Sequence, residues 1–187
     1  MTRYGYLGPE GTFTSMALDA WAPESADHRV AYSSVDSAFA ALRAGEIDAA
    51  VVPIENSVEG GVSATLDALA AGEPLVVIGE QLVPITFVLA GPTGMSLAAV
   101  RRLGTHSHAW AQVRGWVGAN LPKATYVPSL STAAAAQSVA AGDATVDAAV
   151  CAPVAASMHG LSVLANDIGD MQGAVTRFAV MARPGEL

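Results

Sequence analysis

The sequence predicts an α/β protein made of two similar lobes, each a sheet layered with helices, with a ligand cleft between them. Three observations carry that expectation. Short apolar runs that read as buried strands alternate with Ala-rich helical stretches along the 187 residues, the pattern of α/β layers. The two halves also echo each other. Tyr32 leads through Ser33 and Ser34 into an Ala-rich helix that stops at Gly45, before Asp48-Ala49-Ala50-Val51-Val52-Pro53. Tyr126 leads through Ser131 and Thr132 into another that stops at Gly142, before Asp147-Ala148-Ala149-Val150-Cys151-Ala152-Pro153. Each has a hydroxyl cap, a glycine stop and a buried strand. Finally, Glu55-Asn56-Ser57 interrupts an apolar strand beside a helix start, where open α/β sheets bind small ligands.

Taken in order, Arg3–Leu7 reads as the first strand, and Gly8-Pro9-Glu10-Gly11 as a tight loop into a helix over Thr14–Trp21. A strand over Arg29–Tyr32 precedes the hydroxyl-capped helix Val35–Ala44. Ala49–Ile54 is apolar throughout its first five residues, so it is expected to be buried on both faces. Two glycines, Gly60 and Gly61, separate it from a helical pattern over Val62–Ala71. Leu75–Leu89 reads as one long strand bent at Pro84, and is the natural crossing between lobes. Further strands are expected at Val100–Gly104, Thr125–Pro128, Ala148–Ala152, Leu161–Leu164 and Thr176–Ala182. Helices fit His108–Ala119, Thr132–Ala141 and Pro153–His159. On this reading residues 1–80 and 174–187 form the first lobe and 81–173 the second.

Composition narrows the function. Hydrophobic residues make up 52% and charged ones 14%, so the chain is compact rather than disordered. A net charge of -8 disfavours nucleic acid, which calls for a basic stripe. It leaves room for a small anion, because helix dipoles and one arginine can outweigh the global field locally. No apolar run reaches the roughly 20 residues of a membrane span, and no secretory leader opens the chain, so a cytoplasmic protein is expected. The single cysteine, Cys151, excludes an intrachain disulfide and a cysteine metal cluster, and reads as an inert core residue.

Four polar clusters sit at strand ends: Gly8-Pro9-Glu10-Gly11-Thr12-Phe13-Thr14, Glu55-Asn56-Ser57, Thr105-His106-Ser107-His108 and Val175-Thr176-Arg177-Phe178. The first has glycines that let backbone N–H groups approach a ligand, but lacks the Lys-Ser/Thr pair of a phosphate-binding loop. Asn56 and Ser57 suit a ligand or a helix cap equally well. Two histidines at i, i+2 lack the third ligand of a metal site. By residue type alone, Thr176 is an ordinary strand former and Arg177 a carboxylate fork.

Together these segments resemble the prephenate dehydratase family. The resemblance runs through Tyr6-Leu7-Gly8-Pro9-Glu10-Gly11-Thr12-Phe13, Val52-Pro53-Ile54-Glu55-Asn56-Ser57, Gly60, Ser131-Thr132-Ala133, Gly160-Leu161 and Val175-Thr176-Arg177-Phe178, in the family's order. It implies two lobes resembling the type 2 periplasmic-binding-protein fold, and a carbon–oxygen lyase that turns prephenate into phenylpyruvate in phenylalanine biosynthesis. It further implies a cytoplasmic homo-oligomer that needs no cofactor and no metal. Thr176 and Glu55 are the implied catalytic residues. Arg177, Asn56, Ser57, Thr12, Thr105, His106, Ser131, Thr132 and Phe178 are the implied substrate ligands. Three departures stand out. The usual Ser-His-Pro-Gln reads Thr105-His106-Ser107-His108, the often asparagine-rich stretch before Thr176 reads Gln172-Gly173-Ala174-Val175, and the sequence stops at Leu187, where relatives usually continue into a phenylalanine-binding ACT domain. Indifference to phenylalanine is the corresponding expectation. An arogenate dehydratase and a non-catalytic small-anion binder are the alternative readings.

Overall fold

The structure, a computed structural model, describes residues 2–23 and 28–185. Met1, Glu186 and Leu187, at the outer limits of the expected first lobe, lie outside the described residues. Two compact units result: residues 1–85 with 173–187, and residues 86–172.

In the first unit, β1 (Tyr4–Leu7), β2 (Arg29–Tyr32), β3 (Ala49–Asn56), β5 (Val76–Pro84) and β11 (Val175–Ala182) form a sheet in the order β2-β1-β3-β11-β5, with the short β4 (Gly60–Gly61) on β3. β1 runs parallel to β2 and β3, whereas β11 is antiparallel to both β3 and β5. Helices α1 (Phe13–Trp21), α2 (Val35–Arg43) and α3 (Ser63–Ala70) supply the other layers. Ala49 to Val52 are fully buried, and Val52 joins Phe39, Leu42, Ile47 and Met181 in one core. Apolar side chains on both faces make β3 the centre of the sheet.

The second unit repeats this plan. β7 (Arg102–Thr105), β8 (Thr125–Pro128) and β9 (Ala148–Cys151) pair in parallel, with β6 (Val88–Gly91) antiparallel to β9 and β10 (Ser162–Ala165) antiparallel to β6. The order β8-β7-β9-β6-β10 therefore matches that of the first sheet strand for strand. The repeat reaches side chains. Ser34 caps α2 and Ser131 caps α6 (Thr132–Ala140), each accepting a backbone N–H in the first turn. Gly45 and Gly142 end those helices at φ +76° and +74°, a conformation that costs only glycine nothing. Arg3 then clamps Asp48 through its backbone N–H (2.7 Å) and Nη2 (2.7 Å), and Arg102 clamps Asp147 through its backbone N–H (2.8 Å) and guanidinium. Cys151 is buried in the core with Ala136 and Val139, where loss of solvation pushes its thiol up to about 12.

Two expected elements come apart. Leu75–Leu89 is two strands in two sheets, β5 and β6, because Pro84 cannot donate to a ladder and the next amide, Ile85, turns to the Ala174 carbonyl. The expected crossing between residues 80 and 81 thus falls inside β5. The helix expected over His108–Ala119 is α4 (Ser107–Ala111) and α5 (Arg114–Asn120), broken at Gln112 and Val113. Asp170 explains the break: its carboxylate accepts the Gly115 and Trp116 N–H groups, both at 2.8 Å, starting a new helix. A Cβ on Gly115 would sit 2.8 Å from that carboxylate and would push it aside. The last helix, α7, covers Pro153–Met158 with the proline at its start.

Candidate active site

The ends of β3 and β11 gather the second and fourth clusters. Their ladder runs in step from Ala182 opposite Ala49 to Phe178 opposite Pro53, then slips by one residue. Beyond the slip Arg177 faces Glu55 and Thr176 faces Asn56, with Ile54 left as the extra residue of a β-bulge. The backbone groups freed there are satisfied: Ile54 accepts from the Val62 N–H, and the Thr65 hydroxyl donates to the Pro53 carbonyl. Ser57 closes the ladder, with its N–H donating to the Val175 carbonyl (2.9 Å) and its Oγ accepting the Val175 N–H (3.0 Å).

The bulge sorts the side chains by face. Thr176 is buried, at 6% exposure, and its Oγ1 accepts a hydrogen bond from Asn56 Nδ2 at 3.1 Å. Asn56 Oδ1 accepts the Val58 N–H at 2.7 Å, which fixes the amide so that its NH2 group must point at the threonine. Among the described residues the Thr176 O–H donates to nothing, so the proton is available to a ligand. The partner of this hydroxyl is Asn56 and not Glu55, as a direct relay from Glu55 would have required.

Arg177 points to the other face, as strand alternation dictates. There its Nη1 donates to Glu80 (2.8 Å) and its Nε lies 3.5 Å from Glu55. All three are about half exposed. Glu80 was not singled out from the sequence, although a lone carboxylate in the apolar stretch from Leu75 to Leu89 was the available signal.

The other expected ligands sit as follows. Thr12 caps α1, accepting from Ser15 N–H and donating to the Leu7 carbonyl, so its hydroxyl proton is used within the loop. The Gly8 and Gly11 amides of that loop are likewise taken, by Tyr32 and Ser15. Thr105 is wholly buried and donates to the Val150 carbonyl, tying β7 to β9. Phe178 is 2% exposed and belongs to the sheet core. His106 caps α4 through its side chain and stacks on His108, the rings 5.2 Å apart. Ser131 accepts the Ala134 N–H at 2.9 Å, and Thr132 beside it is buried.

This topology defines a class of α/β proteins made of two like units, here with a buried hydroxyl at a strand end. A periplasmic substrate-binding protein from Coxiella burnetii shares the fold, with a TM-score of 0.50 at 19% identity over 98% of this chain and 84% of that one. The model of the prephenate dehydratase family matches residues 4–186, and the chain belongs to that family. A prephenate dehydratase from Amycolatopsis methanolica is 48% identical over 184 residues, 98% of this chain and 59% of that protein. The solved prephenate dehydratase of Arthrobacter aurescens, in complex with L-Phe, superposes with a TM-score of 0.89 at 55% identity, covering 99% of this chain and 61% of that one. The chain thus spans about three fifths of the relatives it matches.

Proposed function

We propose that this chain converts prephenate to phenylpyruvate, acting in the cytoplasm as a homo-oligomer and without a cofactor. The single observation that carries the reading is the Thr176 hydroxyl, which accepts from Asn56 and keeps its own proton free at a strand end. In the reaction the ring carboxylate leaves as carbon dioxide and its bonding electrons expel the ring hydroxyl, which takes up one proton and departs as water. Aromatisation drives the step. A threonine hydroxyl is too weak an acid to give up its proton alone at neutral pH, so Thr176 serves as a hydrogen-bond donor that stabilises developing hydroxide. The amide bond it accepts strengthens it as a donor by polarising the hydroxyl. From the resemblance alone, Glu55 is assigned to the proton route, Arg177 to a substrate carboxylate, and Ser57, His106, Ser131 and Thr132 to further contacts.

One observation favours a different role for Arg177 and Glu55. They lie across the sheet from Thr176 and pair with each other, and Glu80 holds the guanidinium from the far side. A residue so placed braces the strands instead of meeting the substrate. The test of the overall reading is incubation with prephenate, following phenylpyruvate absorbance in base with and without a chelator. Turnover untouched by the chelator is expected. Binding without turnover would overturn the reading in favour of an anion-binding module, and faster turnover of arogenate would reassign the substrate.

A further inference from the structure

We infer that Glu80 is a positioning residue which holds the Arg177 guanidinium where Glu55 meets it, and so supports the bulged register that brings Asn56 onto Thr176. The inference rests on Thr176 being the donor. Extending the regular part of the β3–β11 ladder by two residues would place Arg177 opposite Ile54 and Thr176 opposite Glu55. In that register Asn56 would face away from Thr176, because a one-residue slip sends every side chain to the other face. The observed bulge instead sets Arg177 against Glu55 and Thr176 against Asn56. Two ladder pairs lie beyond the slip, closed by the two hydrogen bonds between Ser57 and Val175.

Charge adds to these bonds through Glu55. The bulged register meets Arg177 with a carboxylate, and the regular one would meet it with an isoleucine. Glu80 lies opposite Ala179 on β5, so by the period of two it shares the face of Arg177, and its carboxylate takes Nη1 at 2.8 Å. The β5–β11 register is unbroken here, so the part of Glu80 is to fix the guanidinium where Glu55 on β3 can meet it. Each exposed pair is weak alone. Together they add a modest preference to the hydrogen bonds that already close the bulged end.

The test uses E80Q, R177Q and R177K, with E80Q repeated on an N56A background. For prephenate turnover, E80Q is expected to lower kcat by about two- to fivefold and to leave KM within about twofold, the size of one exposed ion pair. R177Q, which removes both pairs, should cost about tenfold in kcat, and R177K should recover most of it. On the N56A background E80Q should have no further effect, since the amide it positions is gone. In addition, the Asn56 side-chain amide resonances should shift in E80Q. A rise in KM at unchanged kcat in R177Q would overturn the inference and leave Arg177 as a carboxylate anchor. An equal loss from E80Q with and without Asn56 would overturn it too. If the wild-type protein does not turn over prephenate, the dehydratase reading fails by itself. The Asn56 resonances then judge the register separately, and their constancy in E80Q sinks it.

Discussion

Thr176→Ala should lower kcat by about 10²-fold while substrate still binds, as expected when one transition-state donor is removed. Thr176→Ser keeps the hydroxyl and should keep most of the rate. Steady-state kinetics with parallel calorimetric binding checks both, and a near-normal kcat in Thr176→Ala would take this residue out of the mechanism. The residue types of this site were legible, since Thr176, Asn56 and Ser57 stand in clusters where a buried strand turns polar. What pairs with what was not. Asn56 and Thr176 lie 120 residues apart, and their pairing depends on a bulge that neither segment announces. A polar residue type marks a site, but its partner is set by register. Thr105 and Phe178 show the converse: each sits in a site-like motif, yet burial and a backbone hydrogen bond at Thr105, and burial at Phe178, give them structural work.

At the scale of elements, local signals ended at the chain's near neighbours. Helix caps, glycine stops and apolar strands were readable because the residues that make them lie within a few positions of each other. The break between α4 and α5 was not, because its cap, Asp170, lies 55 residues from Gly115. The same carboxylate holds two N–H groups of the first turn of α5 and gains from the positive end of that helix. Asp170→Ala should therefore cost about 1 kcal/mol, the usual penalty for losing such a cap. Hydrogen exchange at the Gly115 and Trp116 amides is the direct measurement, and unchanged protection there would show that α5 starts without Asp170. The crossing within Leu75–Leu89 was legible from its length and its proline, but not the place of the break, which the Ile85 amide marks by turning to the Ala174 carbonyl.

The whole molecule is a plan used twice, and the repeat extends to a pair of ionic clamps. Arg3 and Asp48 join the ends of β1 and β3, and Arg102 and Asp147 join those of β7 and β9. Each arginine also donates to a carbonyl in the loop between the helix exit and its aspartate, that of Gly45 in one unit and of Ala144 in the other. The side-chain hydrogen bond from Arg3, with a second from its backbone N–H, holds the Asp48 carboxyl down at about 2, and Arg102 holds Asp147 below the usual carboxylate range in the same way. An unfolded aspartate titrates near 3.9, so a group lowered in the native state stabilises the fold above about pH 4. For Asp48 that contribution is lost as the pH falls from about 4 through about 2, where the native carboxyl is protonated as well. Asp48→Asn should accordingly lower the melting temperature at neutral pH, by about 2–4 °C given the solvent screening of a half-exposed partner. The gap between variant and wild type should close as the buffer is taken down to about pH 2, and Asp147→Asn should behave alike in the second unit. Melting curves across that range decide the point, and a gap that stays constant would mean that the clamps hold by shape and not by charge.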